Sequence, residues 1–249
     1  IVNNTTIKYL SIIIIMIYYL KIITNNIYIM MKLTYFNVRG LAETSRMLFA
    51  INNQNGTREE YEDFRYPLEV TDMATHKMTK DEFDQDKSDG KLVNSLNKLP
   101  FLEVDGVTIP QSKTIERFLA TRFGLMGTSV MDYARIDSIC ECVRDFKDMY
   151  QKVRVAENKT EATNEWFTVT LIERLTLLEN LLGSDGFSVG DKLSLSDVVL
   201  YSFITNFFDN KEASMNATLV SPKIRSVIEN VSTVPQLVSW IEKRPKTDF

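Results

Sequence analysis

Tyr35 stands at the end of a short strand-like segment, just before a helix, where its hydroxyl could act on a bound thiol. A free cysteine thiol titrates near pH 8.5, so using it near neutral pH means stabilising its thiolate. Lowering that pKa by about 2 units requires about 2.7 kcal/mol, which one or two well-placed hydrogen-bond donors can supply. A tyrosine hydroxyl stays protonated and can be such a donor. Taken alone, a strand tyrosine is more often a half-buried core residue, so its neighbours must decide.

Two further segments could hold an extended peptide. Leu99-Pro100 precedes a strand, where a cis peptide bond would turn the backbone of Leu99 outward, although only about 5% of X-Pro bonds are cis. Gln111-Ser112 stands directly before a helix. A serine there can offer its hydroxyl and the backbone amides to an anion, or it can simply cap the helix, and the two roles are compatible.

The elements that must position these residues alternate between strand-like and helical patterns. Asp105-Gly106 is a two-residue turn that strongly favours a hairpin between strand runs. The order βαβ followed by ββα is that of a thioredoxin-like domain. The predicted segments are the strands Lys32–Phe36 and Glu60–Arg65, the hairpin strands Phe101–Val104 and Val107–Ile109, and the helices Ala42–Asn52 and Ser112–Phe123.

Everything after the link Gly124–Val130 is typical of helices. Apolar residues recur at spacings of three and four from Tyr133 to Val153, and again on a helix predicted from Glu165 to Leu182. Ser194 and Asp197 have the spacing of a capping box that opens a helix to Phe208. The last predicted helix runs from Pro235 to Arg244, with Trp240 expected in the core.

Over nearly all of residues 31–249, the chain resembles the tyrosine-type, sigma-like cytosolic glutathione transferases. This resemblance implies a thioredoxin-like α/β domain over residues 32–123 and an all-helical domain over residues 131–249. It further implies a cytoplasmic homodimer that uses glutathione as co-substrate, without a metal, on small hydrophobic electrophiles. The matching residues are Leu33-Thr-Tyr-Phe-Asn37, Arg39-Gly40, Ala42-Glu43, Leu102-Glu-Val-Asp-Gly106, Gln111-Ser112, Asp197 with its capping box, Trp240-Ile241 and Arg244-Pro245.

The resemblance also assigns roles to individual residues. Tyr35 matches the stabiliser of the glutathione thiolate, and Leu99-Pro100 is expected to be cis. The segment that holds the cysteinyl and glycyl parts would be Asn97, Lys98 and Leu99, and the γ-glutamyl pocket would be Gln111 and Ser112. Lys87 and Lys91 fall where the family grips the glycine carboxylate, and Asp145 matches an acid that reaches across a dimer to the neighbouring glutathione, or else lies on a solvated helix face.

The chain departs from the family pattern at Leu41, where many members have a second arginine, and this departure predicts modest or altered thiolate activation. A second substrate site is expected between the first domain and the long helices, near Met149, Tyr150 and Lys152. The alternatives are a glutathione-dependent isomerase, such as a prostaglandin D synthase, and a non-catalytic ligand carrier or structural relative like the lens crystallins of this family.

Composition excludes several other classes of protein. A net charge of −4 gives no basic surface for nucleic acid. The cysteines Cys140 and Cys142 lie two apart on a helix and cannot face each other, so we expect free thiols in a reducing compartment. His76 is the single histidine, which leaves no multi-histidine metal site and makes an ordinary surface residue the natural interpretation.

Residues 1–31 differ from the rest of the chain. They contain no Ala, Gly, Pro, Arg, Asp or Glu, which is the pattern of translated AT-rich upstream sequence, and Met31 would be the natural start. A genuine extension and a membrane segment are the competing interpretations. Lys8, Lys21, Asn25 and Asn26 interrupt the apolar stretch, and we expect no membrane anchor.

Overall fold

The computed structural model describes residues 31–52, 59–72 and 77–247. The interpretations of residues 1–30 and of His76 therefore fall outside the described residues. Met31, which lies one residue before the first domain predicted over residues 32–123, is buried and belongs to a strand.

A four-stranded mixed sheet forms the centre of the first half. Strand β1 (Met31–Phe36) pairs in parallel with β2 (Tyr61–Tyr66), and antiparallel with β5 (Phe101–Val104), which continues into β6 (Val107–Pro110). The strand order is β2-β1-β5-β6. Because a crossover with a helix joins the parallel strands β1 and β2, and a tight turn joins the antiparallel strands β5 and β6, this order confirms the predicted βαβ–ββα arrangement.

Helices cover this sheet and position its ends. Helix α1 (Glu43–Ile51) follows a short 3-10 turn, Gly40–Ala42, and helix α3 (Ser112–Arg122) begins directly after β6. The hairpin turn is formed by Asp105 and Gly106 with φ of 49° and 79°, as predicted from this dipeptide.

The polar stretch between β2 and β5 contains more structure than its sequence suggests. It holds the antiparallel strands β3 (Glu69–Asp72) and β4 (Lys77–Thr79), followed by helix α2 (Asp81–Ser88). Phe83 is the buried residue of α2, and it packs with Tyr66 and neighbouring apolar residues in a small separate cluster. A helix with one buried residue has no apolar periodicity, so the spacing of apolar residues in the sequence did not reveal α2.

The second half is helical from α4 (Val130–Arg154) onwards. The helix predicted from Glu165 to Leu182 is instead α5 (Lys159–Glu165), a π-helical turn, Trp166–Thr170, and α6 (Leu171–Glu179). The π turn rotates the face of the helix, so that Val169 is exposed although it follows the buried Trp166 at the spacing of three that indicated an apolar face.

Helix α7 (Leu195–Asn206) is the buried centre of this half. Its capping box is confirmed, since Asp197 accepts from the amide of Ser194 at 2.8 Å and also from the amide of Ser188 at 2.6 Å. The chain ends with three further helices, α8 (Lys211–Asn216), α9 (Pro222–Ser232) and α10 (Pro235–Lys243).

Glu43, at the start of α1, joins the two halves. This buried carboxylate accepts from Trp240 Nε1 at 3.0 Å and from Arg244 Nη1 at 2.5 Å, so the C-terminal helix is fixed against the first half. Trp240 is thus partly in the core and supports the structure, as expected. In the part of the chain that the structure describes, no helix is long and apolar enough to cross a membrane.

Candidate functional site

Tyr35 lies at the end of β1 with its hydroxyl at the edge of a cavity between the two halves. The side chain is buried, and the Leu41 amide donates a hydrogen bond of 3.2 Å to its oxygen. Burial raises the pKa of the Tyr35 hydroxyl, while the Leu41 amide and the charge of Arg46 lower it in part. The net shift is upward, so the phenol remains protonated and can donate its own proton.

Gly40 makes this position of the tyrosine possible. Its φ is +38°, and a Cβ at this residue would lie 2.6 Å from the Tyr35 hydroxyl oxygen. A side chain would therefore displace the hydroxyl. This close approach explains why a glycine precedes Leu41.

Arg46 is a functional candidate that the sequence analysis missed. Its guanidinium carbon lies 5.9 Å from the centre of the Tyr35 ring. The side chain is fully buried, and Asp63 holds it through Nε at 3.1 Å, while the Val38 carbonyl accepts from Nη1 at 2.7 Å. An arginine inside an apolar helical segment is rare enough to have been a signal. Arg46 thus places a buried positive charge over the Tyr35 ring, and this charge lowers the pKa of the Tyr35 hydroxyl in part.

The predicted γ-glutamyl pocket lies at the N-terminus of α3. Gln111 is the residue before the helix, with φ of 75°, and Ser112 is the first helical residue. Gln111 is therefore the N-cap, rather than Ser112, whose hydroxyl is left available. The first turn contains no acid, and the free amides of a helix N-terminus favour an anion.

The segment before β5 carries the second predicted contact. The Leu99–Pro100 bond is cis, as predicted. Asn97 has φ of 55°, and its side-chain oxygen is buried without a hydrogen-bond donor among the described residues. An acceptor in that situation is suited to a donor from a ligand. Lys98 is exposed and Leu99 half-buried.

The remaining predicted residues lie on the surface. Lys87 is exposed on α2, and Lys91 pairs with Asp86 at 2.7 Å and with Asp89 at 3.3 Å, so its charge is already partly compensated. Asp145 is 66% exposed on α4 and lies 3.3 Å from Arg144.

The cavity beside Tyr35 has a volume of about 320 Å³. Its α4 wall consists of Lys147, Gln151 and Arg154, which follow one another at helical spacing. The second-site prediction was wrong about the face of this helix, because Tyr150 is buried and contacts the rings of the helical core. The lining is Tyr35, Arg39, Gly40, Leu41, Glu43, Thr44, Lys113, Glu116, Lys147, Gln151, Arg154, Ser202, Asn206, Phe207 and Asp209.

Comparisons with known proteins agree with this architecture. Residues 144–244 match the family model described as glutathione S-transferase, C-terminal domain. Hematopoietic prostaglandin D synthase of Gallus gallus is 33% identical over 219 residues, which cover 87% of this chain and 97% of that protein. Glutathione S-transferase 1 of Ascaris suum is 31% identical over 226 residues, covering 88% and 98%. The solved structure of monomeric Na-GST-3, a glutathione S-transferase of Necator americanus, has a TM-score of 0.70 at 30% identity and covers 89% of this chain and 100% of that one.

The chain belongs to the glutathione S-transferase family. The predicted combination of a thioredoxin-like half and a helical half is thereby confirmed, as is the class of enzyme, a glutathione transferase. Glutathione is the co-substrate of this family. Within the described ranges, no group of three or more His, Cys, Asp or Glu side chains could hold a metal ion.

Proposed function

We propose that this protein conjugates reduced glutathione to small electrophiles, with the Tyr35 hydroxyl stabilising the glutathione thiolate. The observation that carries the proposal is the hydrogen bond from the Leu41 amide to the Tyr35 oxygen. Because that amide occupies the oxygen as an acceptor, the hydroxyl proton is free to be donated to a sulfur in the cavity.

The reaction follows from the state of the phenol. Burial keeps Tyr35 protonated, so it stabilises the thiolate as a donor and does not remove the proton itself. The thiol proton leaves to solvent, the thiolate attacks the electrophilic carbon, and the leaving group departs with its electron pair. Arg46 adds positive charge behind the ring, which makes the hydroxyl a better donor.

The glutathione backbone would then lie across the ends of β1, β5 and α3. We assign the γ-glutamyl carboxylate to Ser112 and the N-terminal amides of α3, with Gln111 beside it. The central part of the tripeptide would contact Asn97, Lys98 and Leu99, where the buried oxygen of Asn97 can accept from it.

Three more distant residues complete the proposed glutathione site. Lys87 and Lys91 would hold the glycine carboxylate at the outer end. Asp145 would contact the glutathione of a neighbouring subunit, and this contact requires the homodimer. A cytoplasmic location accompanies this proposal, because Cys140 and Cys142 are free thiols.

A titration of the thiolate absorbance of bound glutathione tests the role of Tyr35. We expect a thiol pKa lowered by about 2 units in the wild type and close to the free value of about 8.5 in Tyr35→Phe. Tyr61→Phe is the matched control, because Tyr61 lies on the adjacent strand, stacks on Phe49 and does not line the cavity. An unshifted thiol pKa in the wild type, or an equal effect of both variants, would refute the proposal.

Isomerisation of an endoperoxide is a second candidate, favoured by the similarity to a protein named prostaglandin D synthase. The two activities differ in stoichiometry, because conjugation consumes one glutathione per turnover and isomerisation regenerates it. Product formation without loss of glutathione would favour the isomerase. Binding of glutathione without either reaction would favour a carrier. Sedimentation tests the homodimer, and Asp145→Asn should weaken glutathione binding in the dimer alone.

A further inference from the structure

Lys147 is the unusual residue of the cavity that also contains Tyr35. It projects from the middle of α4, and its ammonium nitrogen lies 5.3 Å from the centre of the Phe207 ring. Among the described residues, no carboxylate lies within ion-pair distance of it. A lysine amine on the wall of a substrate cavity is thus left without an anionic partner.

Two of the carboxylates that line the cavity are already engaged. Glu116 accepts from Lys113 at 2.9 Å, and Glu43 accepts from Arg244 at 2.5 Å. Arg154 lies seven residues after Lys147 on the same face of α4, about 10 Å further along the helix, and likewise has no ion pair with a described residue.

The other charged groups that face the cavity are Arg39 and Asp209. Asp209 is an exposed carboxylate of the cavity lining that forms no ion pair with a described residue, so it offsets only one of the two cations of α4, Lys147 and Arg154. The α4 wall of the cavity therefore carries an excess of positive charge.

The protonation of Lys147 depends on what the cavity holds. Burial, together with repulsion from Lys113, lowers the pKa of Lys147 to about 7, and Glu116 offsets part of this shift. Cys140, on the same helix, is a buried thiol whose pKa is raised, so it stays neutral and supplies no charge. Near neutral pH the amine is thus poised between its two states, and a bound anion would favour the charged one.

We propose that the electrophile used by this enzyme carries an anionic group, such as a carboxylate, and that Lys147 binds that group and determines the preference for it. This inference rests on the proposed function, since it concerns the second substrate of the same cavity. Arg154 adds long-range attraction at the outer end of the wall.

The pH dependence has a definite sign. The protonated Lys147 amine binds an anion more tightly than the neutral amine does, so binding of an anion raises the pKa of Lys147 and takes up part of a proton. The preference for the anionic electrophile is complete below the pKa of Lys147 in the free enzyme, about 7. It is lost as the pH rises through the higher pKa that Lys147 has in the complex. The neutral electrophile has no such dependence.

A pair of aromatic substrates tests the proposal. Chlorodinitrobenzene and chlorodinitrobenzoate undergo the same displacement of chloride by the glutathione thiolate and differ in one carboxylate. The ratio of their kcat/KM values, corrected for the uncatalysed rates, cancels the ionisation of glutathione itself. We expect a ratio of about ten or more in favour of the carboxylate below pH 7, falling towards one by pH 9.

Lys147→Met keeps the length and apolar stem of the side chain and removes the charge. We expect it to lower the ratio about tenfold and to flatten its pH dependence, with less than a twofold change in the KM for glutathione. Lys152→Met is the matched control, because Lys152 is exposed on the same helix outside the cavity, and it should leave the ratio unchanged.

The possible failures are distinguishable. A wild-type ratio near one, or a ratio that survives Lys147→Met, would overturn the inference while leaving the transferase activity intact. A large change in the KM for glutathione would instead assign Lys147 to the glutathione site. If neither electrophile reacts, the proposed function fails, and calorimetry with dinitrobenzoate and dinitrobenzene decides the anion preference without turnover. Should Lys147→Met not fold, Arg154→Met must lower the ratio by a smaller factor.

Discussion

Replacement of Gly40 by alanine should damage both the stability and the activity of this enzyme. The added Cβ would lie 2.6 Å from the Tyr35 hydroxyl oxygen and 2.9 Å from the ring carbon Cε1, well inside van der Waals contact. The backbone φ of +38° adds a cost of about 1 kcal/mol for a residue with a side chain. Overpacking of a buried aromatic costs a further 1–3 kcal/mol, roughly.

Gly90→Ala separates the cost of the positive φ from the cost of the contact with Tyr35. Gly90 has φ of +75°, but a Cβ there would meet no atom within 4 Å. This control should lose about 1 kcal/mol of the free energy of unfolding and keep its activity. Gly40→Ala should lose about 2–4 kcal/mol and at least tenfold in kcat/KM, because the displaced hydroxyl no longer aligns with the sulfur.

The assays are urea unfolding and turnover of chlorodinitrobenzene. The double variant with Tyr35→Phe removes the atom that clashes most, so the stability losses of the two changes should be less than additive. Equal stability and activity of Gly40→Ala and Gly90→Ala would refute the reasoning, because the contact with Tyr35 would then have no effect.

Three further outcomes are expected. Asp197→Ala should lower the free energy of unfolding in urea by about 3–5 kcal/mol, because it leaves the donors of Ser188 and Ser194 unpaired in a buried site. A loss below about 1 kcal/mol would contradict this. Lys91→Ala should change the free energy of unfolding by less than about 0.5 kcal/mol but raise the KM for glutathione, and an unchanged KM would remove it from the site. Cys140 should resist thiol reagents in the native protein at pH 8 and react on unfolding, because its thiol is buried and the pKa of that thiol is raised. Rapid labelling of the native protein, detected by mass spectrometry, would contradict this.

Local patterns predicted the first half of the fold well. The Asp105-Gly106 turn and the strand runs around it defined the hairpin, and both central residues have the positive φ that this turn requires. Helix α2 was missed because its stability depends on one aromatic, Phe83, which packs on residues from β2 and β5 that are distant in sequence. Similarly, the π turn at Trp166–Thr170 shifted a face that regular periodicity assumed constant.

The residues of the candidate site also differ in whether the sequence alone could reveal them. Tyr35, Gln111 and Ser112 could be chosen from the sequence, because each stands at a predicted junction of strand and helix and matches a motif of the family. The sequence could mark Arg46 as unusual but could not place it, because its position over the Tyr35 ring depends on Asp63 of the neighbouring strand, which holds the guanidinium.

The sequence by itself determined the family, the order of the four strands of the central sheet and the choice of Tyr35 as the proposed thiolate stabiliser, because short motifs in the chain carry the resemblance and the strand pattern. Only the tertiary structure decided that Lys147 faces the cavity and that Glu43 is neutralised by Arg244, 201 residues away. The charge of a site depends on which partners the fold brings together, and pairing between distant residues is not written in local periodicity.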